Sequence, residues 1–444
     1  MTTKNILSKI KKDKVKFVQL QFTDIFGVVK SVTISAKHLP DTLQRGNWFD
    51  GSSVEGFARI AESDLYLKPD LDTYAVIPWL QSEEGSTARF ICDIHNPDGT
   101  PFAGDPRQIL KQALAKAKKH GFVYQTGPEM EFYLFRKEDG QIKALPHDRG
   151  GYFDLTTDQA YNLRRQMALA LEKFGIDVEA THHEVGRGQH EIDFQYADAL
   201  RTADNATTLR FALKAIAQQA GLHVTFMPKP IAGAAGSGMH VHQSLFDIKR
   251  KKNAFARRND KYGLSQTAYR FIAGQLNHAK ALSAILSPTV NSYKRLVPGY
   301  EAPVYISWAT QNRSALIRIP RIFKSNPKAT RVELRSPDPS CNMYLAFATM
   351  LYAGLDGLQK KTKLTAPVEE DMYNLDDAKL KQLKIDMLPR SLWQALKALR
   401  RDKVLAEALG EFAYARYLEA KTKEWDESQM QVTKWELNKY LEAY

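Results

Sequence analysis

Period-two alternation of polar and apolar positions marks four stretches of the chain. In "GPEMEFYLF" (127–135), Gly127 and Pro128 bound an aromatic and apolar run that contains Glu129 and Glu131. Strand side chains alternate faces, so both carboxylates project from one face. "QHEIDF" sets Gln189, Glu191 and Asp193 opposite His190, Ile192 and Phe194. "MHVHQSL" sets His240, His242 and Ser244 opposite Met239, Val241, Gln243 and Leu245. "RVELR" sets Arg331, Glu333 and Arg335 opposite Val332 and Leu334. A half-solvated antiparallel sheet also alternates, and it explains each stretch alone. It explains the set poorly, because the stripes concentrate Glu, His and Arg. The pattern predicts a sheet with one packed face and one face lining a cavity.

Elsewhere the periods change. Short strand-like pieces, "KFVQLQF", "VVKSVTI", "YAVIPWL" and "ARFICDI", fill residues 16–104 and predict a small mixed β domain, 1–104. Ile6, Leu7 and Ile10 have helical spacing and predict a short surface helix before it. "DPRQILKQALAKAKKHG" (105–121) opens a second domain, 105–444, with a helix: Asp105 caps it, Pro106 suits its first turn and Gly121 ends it. Helical periods follow at 156–175, 205–221, 264–286 and 339–361, and residues 366–444 read as mostly helical. The fold class is α+β.

Composition adds limits. The chain has 444 residues, 43% hydrophobic and 25% charged, as in a soluble globular protein. No apolar run reaches a membrane span, and the N-terminus lacks the apolar core of a signal peptide. Cys92 and Cys341 form no metal or redox motif, so the cytoplasm is the expected compartment. The net charge is +13, and its densest run is "KRKKNAFARRNDK" (249–261). That run has one aromatic residue, Phe255, and no nucleic-acid-binding motif accompanies it. It reads as a solvated loop; neither direct nucleic-acid binding nor a membrane partner is expected.

The stripes carry the chemistry. Glu129, Glu131, Glu191, Glu333 and His240 are candidates to converge, joined by Glu184 from "HHEVGRGQHE". So many carboxylates need compensating cations. Oxygen ligands with one imidazole and no thiolate favour Mg²⁺ or Mn²⁺, and two such ions roughly balance five glutamates. "HHEV" is not a zinc-protease helix, because Arg187 stands where the second His is required. Arg295, Arg313, Arg318, Arg331 and Arg335 ask for phosphate or carboxylate. With the glycine-rich "AGAAGSGMH", which is no P-loop, the set points to phosphoryl transfer.

At these residues the sequence resembles glutamine synthetase over essentially its whole length. "FDGSSVEGFARIAESD" (49–64) and "KPIAGAAGSGMHVHQS" (229–244) match that family's N-terminal and ATP-region signatures. "GPEMEFYLF", "HHEVGRGQHEIDF", "NSYKRLVPGYEAPVYISWATQNRSALIRIP" and "RVELRSPDPS" match its other active-site segments in order. The resemblance is to the alpha group of bacterial type I enzymes, which are not adenylylated. It implies a small β-grasp-like N-terminal domain and a catalytic domain with a curved antiparallel sheet backed by helices. It implies a homo-dodecamer of two hexameric rings with active sites between subunits. The implied substrates are ATP, L-glutamate and ammonium; the cofactors are two or more Mg²⁺ or Mn²⁺ per site.

It also implies roles. Glu131, Glu184 and Glu191 match the ligands of one metal; Glu129, His240 and Glu333 match those of the second. Gly236, Arg295 and Arg335 match glutamate-binding positions. Arg313 and Arg318 match residues at the transferred phosphate, and Glu179, His242, Ser244, Lys328 and Arg331 match nucleotide contacts. Asp50 matches a carboxylate, donated by a neighbouring subunit, that binds and deprotonates ammonium. Glu301 matches the glutamate of a flap that shields the acyl phosphate. Arg59 matches an arginine linked to feedback inhibition by glutamine, and a nitrogen-responsive transcription regulator is a candidate partner. Ala235 departs from the Asn of many members, and Tyr373 lies in surroundings unlike the adenylylation site. A γ-glutamyl ligase for a larger amine and a fold-retaining regulatory protein are the alternative readings.

Overall fold

The computed structural model describes residues 1–54, 64–139, 141–299, 302–322, 326–370, 372, 377–383 and 385–444. Among them, six strands form the first sheet. Along it lie Val29–Ser35, Val15–Thr23, Gly85–His95, Asp64–Pro69 and Asn47–Asp50, with Ala75–Ser82 also paired to Gly85–His95. Val15–Thr23 and Gly85–His95 run parallel and the other neighbours antiparallel. Alternate residues Val18, Leu20 and Phe22 join Phe90, Cys92 and Ile94 in one apolar cluster. Ile6 and Ile10 of the helix Thr3–Lys12 belong to the same cluster, which is why their helical spacing shows in the sequence.

A larger sheet follows, with twelve strands among the described residues. Its main path runs Asp386–Met387, Tyr305–Ala309, Ala315–Arg318, Val332–Leu334, Val241–Asp247, Phe122–Glu138, Gln189–Phe194 and Val178–His183. One parallel pair, Tyr305–Ala309 with Ala315–Arg318, interrupts an otherwise antiparallel order. Helices back its apolar face. Met343–Gln359 is apolar nearly all round and buried along most of its length, as expected for a helix inside the core. It meets Gln266–Asn277 backbone to backbone at Gly274 and Gly357. A Cβ on Gly274 would fall 2.1 Å from the Ala353 carbonyl oxygen. No helix among the described residues is long and apolar enough to cross a membrane.

Three helices differ from the sequence expectation. The helix expected from residue 156 begins at Tyr161. Asp158 holds the Ala160 N–H and the Arg164 guanidinium instead, so its side chain competes with helix formation. The helix expected from Asn205 begins at Ala199, capped by Asp198. Its early turns carry Ala199, Thr202 and Ala203, small and buried, which leave no amphipathic signal. The stretch 264–286 breaks at His278 into Gln266–Asn277 and Ala279–Leu286.

His278 Nδ1 meets Asp402 Oδ2 at 2.5 Å and Nε2 meets Asp356 Oδ2 at 3.1 Å. Burial opposes protonation of this ring, but the two carboxylates outweigh it and raise its pKa. The stabilisation is complete below the unfolded value of about 6.5 and is lost as pH rises through the raised folded value. The stability gap between wild type and His278→Asn therefore narrows as the pH rises above about 6.5. Urea midpoints at fixed protein concentration check this, and a constant or widening gap contradicts it.

Arg107 crosses the seam between the two sheets. It lies at the start of the helix Pro106–Lys119, which Asp105 caps through the Arg107 N–H at 2.9 Å. Its buried guanidinium donates to both oxygens of Asp204, at 3.0 and 2.9 Å, and to Asp93 and Asp70 at 2.7 and 2.8 Å. Nearby, Asn342 Nδ2 donates to the Asp24 and Ile25 carbonyls. Gly27 faces that side chain at φ +82, with no room for a Cβ, which would sit 2.8 Å from Asn342 Cα.

Candidate active site

The strand Phe122–Glu138 organises the polar face. Against Gln189–Phe194 it pairs Glu131 with Glu191 and Glu129 with Asp193. On its other side the Glu129 N–H donates to the His240 carbonyl at 2.9 Å. His242, one repeat further on, lies opposite Glu333 on Val332–Leu334, and Glu333 lies opposite Arg318. Alternation keeps all these side chains on one face, and register decides which ones meet.

They form two groups. In the first, ligand atoms of Glu129, His240 and Glu333 lie within 4.8 Å of one another. His240 Nδ1 and His242 Nε2 take the two oxygens of Glu129 at 3.0 and 2.8 Å. Arg318 Nε and Arg335 Nη1 each donate to Glu333 at 2.5 Å. In the second group, His182, Glu184 and Glu191 lie within the same 4.8 Å limit. Glu131 faces it: Glu131 Oε2 accepts from the Gly238 N–H and from Gln189 Nε2, each at 2.9 Å.

The groups differ in charge balance. Burial works against ionisation of Glu129, but the hydrogen bonds from His240 and His242 more than offset it and hold its carboxyl well below the usual range. Glu333 is buried yet lowered, by His240, Arg335 and His242. Glu131 goes the other way: burial first, then the charges of Glu191 and Glu184, push its pKa far up. Burial and the neighbours Asp193, Glu129 and Glu184 likewise raise Glu191, to about 10. Carboxylates raised by burial and mutual repulsion form a site that gains most from a bound cation. Oxygen donors with one imidazole per group suit a hard divalent ion.

Around this face sit several other residues singled out in the sequence. A cavity of about 360 Å³ is lined by Glu129, Glu179, Asp193, His242, Ser244, Lys328 and Arg331, among others. A register shift between Asp193 and Phe194 marks a bulge against Val178–His183 that brings Glu179 into that lining. Arg331 Nε donates to His242 Nδ1 at 3.3 Å. On the Glu131 side, Arg295 Nη1 donates to the Ser336 and Pro337 carbonyls at 2.8 and 3.2 Å. Gly236 and Gly238 pack against Arg295: a Cβ would come within 2.9 Å of its Cγ at Gly236 and 2.5 Å of its Nη2 at Gly238. The Ala235 carbonyl accepts from the Tyr133 hydroxyl at 2.7 Å. Arg313 is exposed, and its charge is felt by Tyr152.

Asp50 stands apart, on the first sheet. It is exposed and caps a short 3₁₀ turn through the Ser52 N–H at 2.8 Å and hydroxyl at 2.6 Å. Glu301, Arg59 and Tyr373 lie outside the described residues.

Three residues beside the metal-type groups were not foreseen. His182 lies across from Glu191 in register, and its Nε2 meets Glu191 Oε1 at 3.1 Å. The signal was present: "VEATHH" alternates and precedes Glu184. Tyr152 and Phe153 stand edge-on to the His182 ring, at 5.7 and 4.9 Å between centroids. Their irregular segment carries no periodicity to betray them. Behind the sheet a third His and carboxylate group, Asp148, His183 and His190, is fully buried. The Arg164 guanidinium lies 3.0 Å from His190 Nδ1, which opposes a metal there. In the basic run, Lys249, Arg250, Arg257 and Arg258 are exposed, while Phe255 is locked in the core and offers no base-stacking surface.

A family model described as the glutamine synthetase catalytic domain matches residues 103–440, and one described as the glutamine synthetase β-grasp domain matches 14–97. The chain is 52% identical over 443 residues to glutamine synthetase of Thermotoga maritima, covering 99% of this chain and 100% of that one. It is 50% identical over 445 residues to glutamine synthetase of Clostridium saccharobutylicum, covering 100% and 99%. Among solved structures, Plasmodium falciparum glutamine synthetase superposes with a TM-score of 0.89 at 26% identity, covering 99% of each chain.

Proposed function

The chain belongs to the glutamine synthetase family, and from that premise we propose that it joins ammonia to L-glutamate, converting ATP to ADP and phosphate. One observation supports this most: a single strand serves two ligand groups two residues apart, one balanced by imidazoles and guanidiniums and one whose buried carboxylates raise one another's pKa. A strand's two-residue repeat is about 6.6–6.8 Å, which suits two neighbouring ions.

A carboxylate is a poor electrophile. One oxygen of the glutamate γ-carboxylate attacks the terminal phosphorus of ATP, and ADP leaves. Ammonia then attacks the acyl carbon and phosphate leaves. Two Mg²⁺ or Mn²⁺ would be held by Glu131, Glu184 and Glu191, with His182 beside them, and by Glu129, His240 and Glu333; when bound they offset the charge of the two reacting anions. Arg295, Arg335 and the Gly236 loop orient glutamate. Arg313 and Arg318 meet the transferred phosphate. Glu179, His242, Ser244, Lys328 and Arg331 line the nucleotide cleft. Asp50 takes the ammonium proton in a neighbouring subunit's site, since ammonium has no lone pair until that proton leaves. Glu301 closes the site against water.

The finer reading is an alpha-group bacterial type I enzyme, not adenylylated, with the domain boundary at residue 105, working in the cytoplasm as a dodecamer of two hexameric rings. Arg59 is its feedback position, and a nitrogen-responsive regulator is a candidate partner. ADP release measured with glutamate, Mg²⁺ and either ammonium or a panel of amines tests the activity. Turnover with ammonium is expected; turnover with a polyamine and none with ammonium would replace this reading by a γ-glutamyl ligase for a larger amine.

A further inference from the structure

Asp148 is buried behind the carboxylate stripe and gathers four donors. Its Oδ1 accepts from His183 Nε2 at 2.9 Å, the Gly188 N–H at 3.0 Å and the Gly150 N–H at 3.3 Å. Its Oδ2 accepts from the Gln159 N–H at 3.2 Å. Two of these donors bracket the turn between the strands Val178–His183 and Gln189–Phe194, which carries Glu184 and leads into Glu191. The other two bracket the loop that carries Tyr152 and Phe153. A single carboxylate thus ties the metal-type turn to the aromatic loop above it.

The ties continue outward from His183. Its Nδ1 donates to the Glu184 carbonyl at 2.6 Å, fixing the backbone at that carboxylate. The Phe153 N–H donates to the His183 carbonyl at 3.2 Å, which holds the loop's aromatic pair toward His182. Space is tight: a Cβ on Gly150 would lie 2.8 Å from His183 Nε2, and Gly188 turns at φ +69 with no room for one. Both side chains of the Asp148–His183 pair are inaccessible to solvent. None of these contacts reaches the cavity, so the pair acts through the backbone it holds.

We propose that Asp148, through His183, is a positioning residue for the half of the site that contains Glu184 and Glu191, locking the turn to the loop of Tyr152 and Phe153. The proposal rests on the two-metal reading above. Partners of this kind set ligand geometry, and their loss typically weakens a metal about 10–100-fold.

The test titrates the full-length protein with Mn²⁺ alone and reads free Mn²⁺ by electron paramagnetic resonance, with the folded fraction fixed by near-ultraviolet circular dichroism. Wild type is expected to take up two ions. His183→Ala weakens one of them about tenfold or more and leaves the other within about twofold. His183→Gln recovers most of the loss, because its amide nitrogen reaches Asp148 as Nε2 does. If His183→Ala does not fold, the near-isosteric Asp148→Asn carries the same expectation. Unchanged affinity for both ions in a folded variant, whatever its loss of stability, overturns the positioning role alone. A wild type that takes up fewer than two Mn²⁺ overturns the two-metal reading and this one with it.

Discussion

Glu131→Gln lowers glutamine formation about 10²–10³-fold and leaves the chain folded. The fold survives because both donors to Glu131, the Gly238 N–H and Gln189 Nε2, meet the same oxygen. A glutamine carbonyl can accept both. Removing the charge also relieves a carboxyl that burial and its neighbours Glu191 and Glu184 already hold far above the usual range. What disappears is the anionic ligand that a divalent ion would claim. A metal offsets several kcal/mol of charge in such a transition state, and each 1.4 kcal/mol is about tenfold in rate. Steady-state ADP release gives the loss, thermal melting gives the fold, and Mn²⁺ binding should fall from two ions to one. Retained activity in a folded chain contradicts the metal role of Glu131, and an unfolded chain contradicts the expectation that the fold survives.

Arg107→Ala destabilises the protein by about 3–5 kcal/mol, the usual cost of breaking a buried ion pair from one side. The guanidinium is 3% exposed and is the shared partner of Asp204, Asp93 and Asp70. Its removal leaves Asp204, itself 4% exposed, without its ion pair in the seam, although the Tyr344 hydroxyl still donates to it at 2.8 Å. Lys111 still reaches Asp93, so the loss falls mainly on Asp204 and Asp70. Urea unfolding at fixed protein concentration measures the effect. Arg107→Met, which restores apolar volume but not charge, should be nearly as damaging, because the carboxylates remain. A change below about 1 kcal/mol in either variant would show that these carboxylates find water or protons without cost.

Much of the site was legible because strand alternation is local. Glu129 and Glu131 share a face whatever the rest of the chain does, and so do Arg331, Glu333 and Arg335. Helix caps were equally readable: Asp105 and Pro106 begin a helix where the sequence places one. The misses have physical reasons. Ala199, Thr202 and Ala203 are buried on a helix too apolar and small-sided to show a stripe. Asp158 spends its carboxylate on Ala160 and Arg164 and delays a helix. Tyr152 and Phe153 belong to an irregular loop, where no period exists to be read.

The sequence by itself determined the face of each strand, the chemistry carried on that face and, through its ordered motifs, the family. Tertiary structure decided the grouping. It set His182 beside Glu184 and Glu191, gave Glu129 two imidazoles and Glu333 two guanidiniums, and left Glu131 and Glu191 short of positive charge. It also buried Asp148 where it binds two distant segments. The reason is that a side chain's direction follows from its own backbone, whereas its partners follow from register between strands far apart in the chain. A shift of one residue would send the same carboxylates to the opposite face.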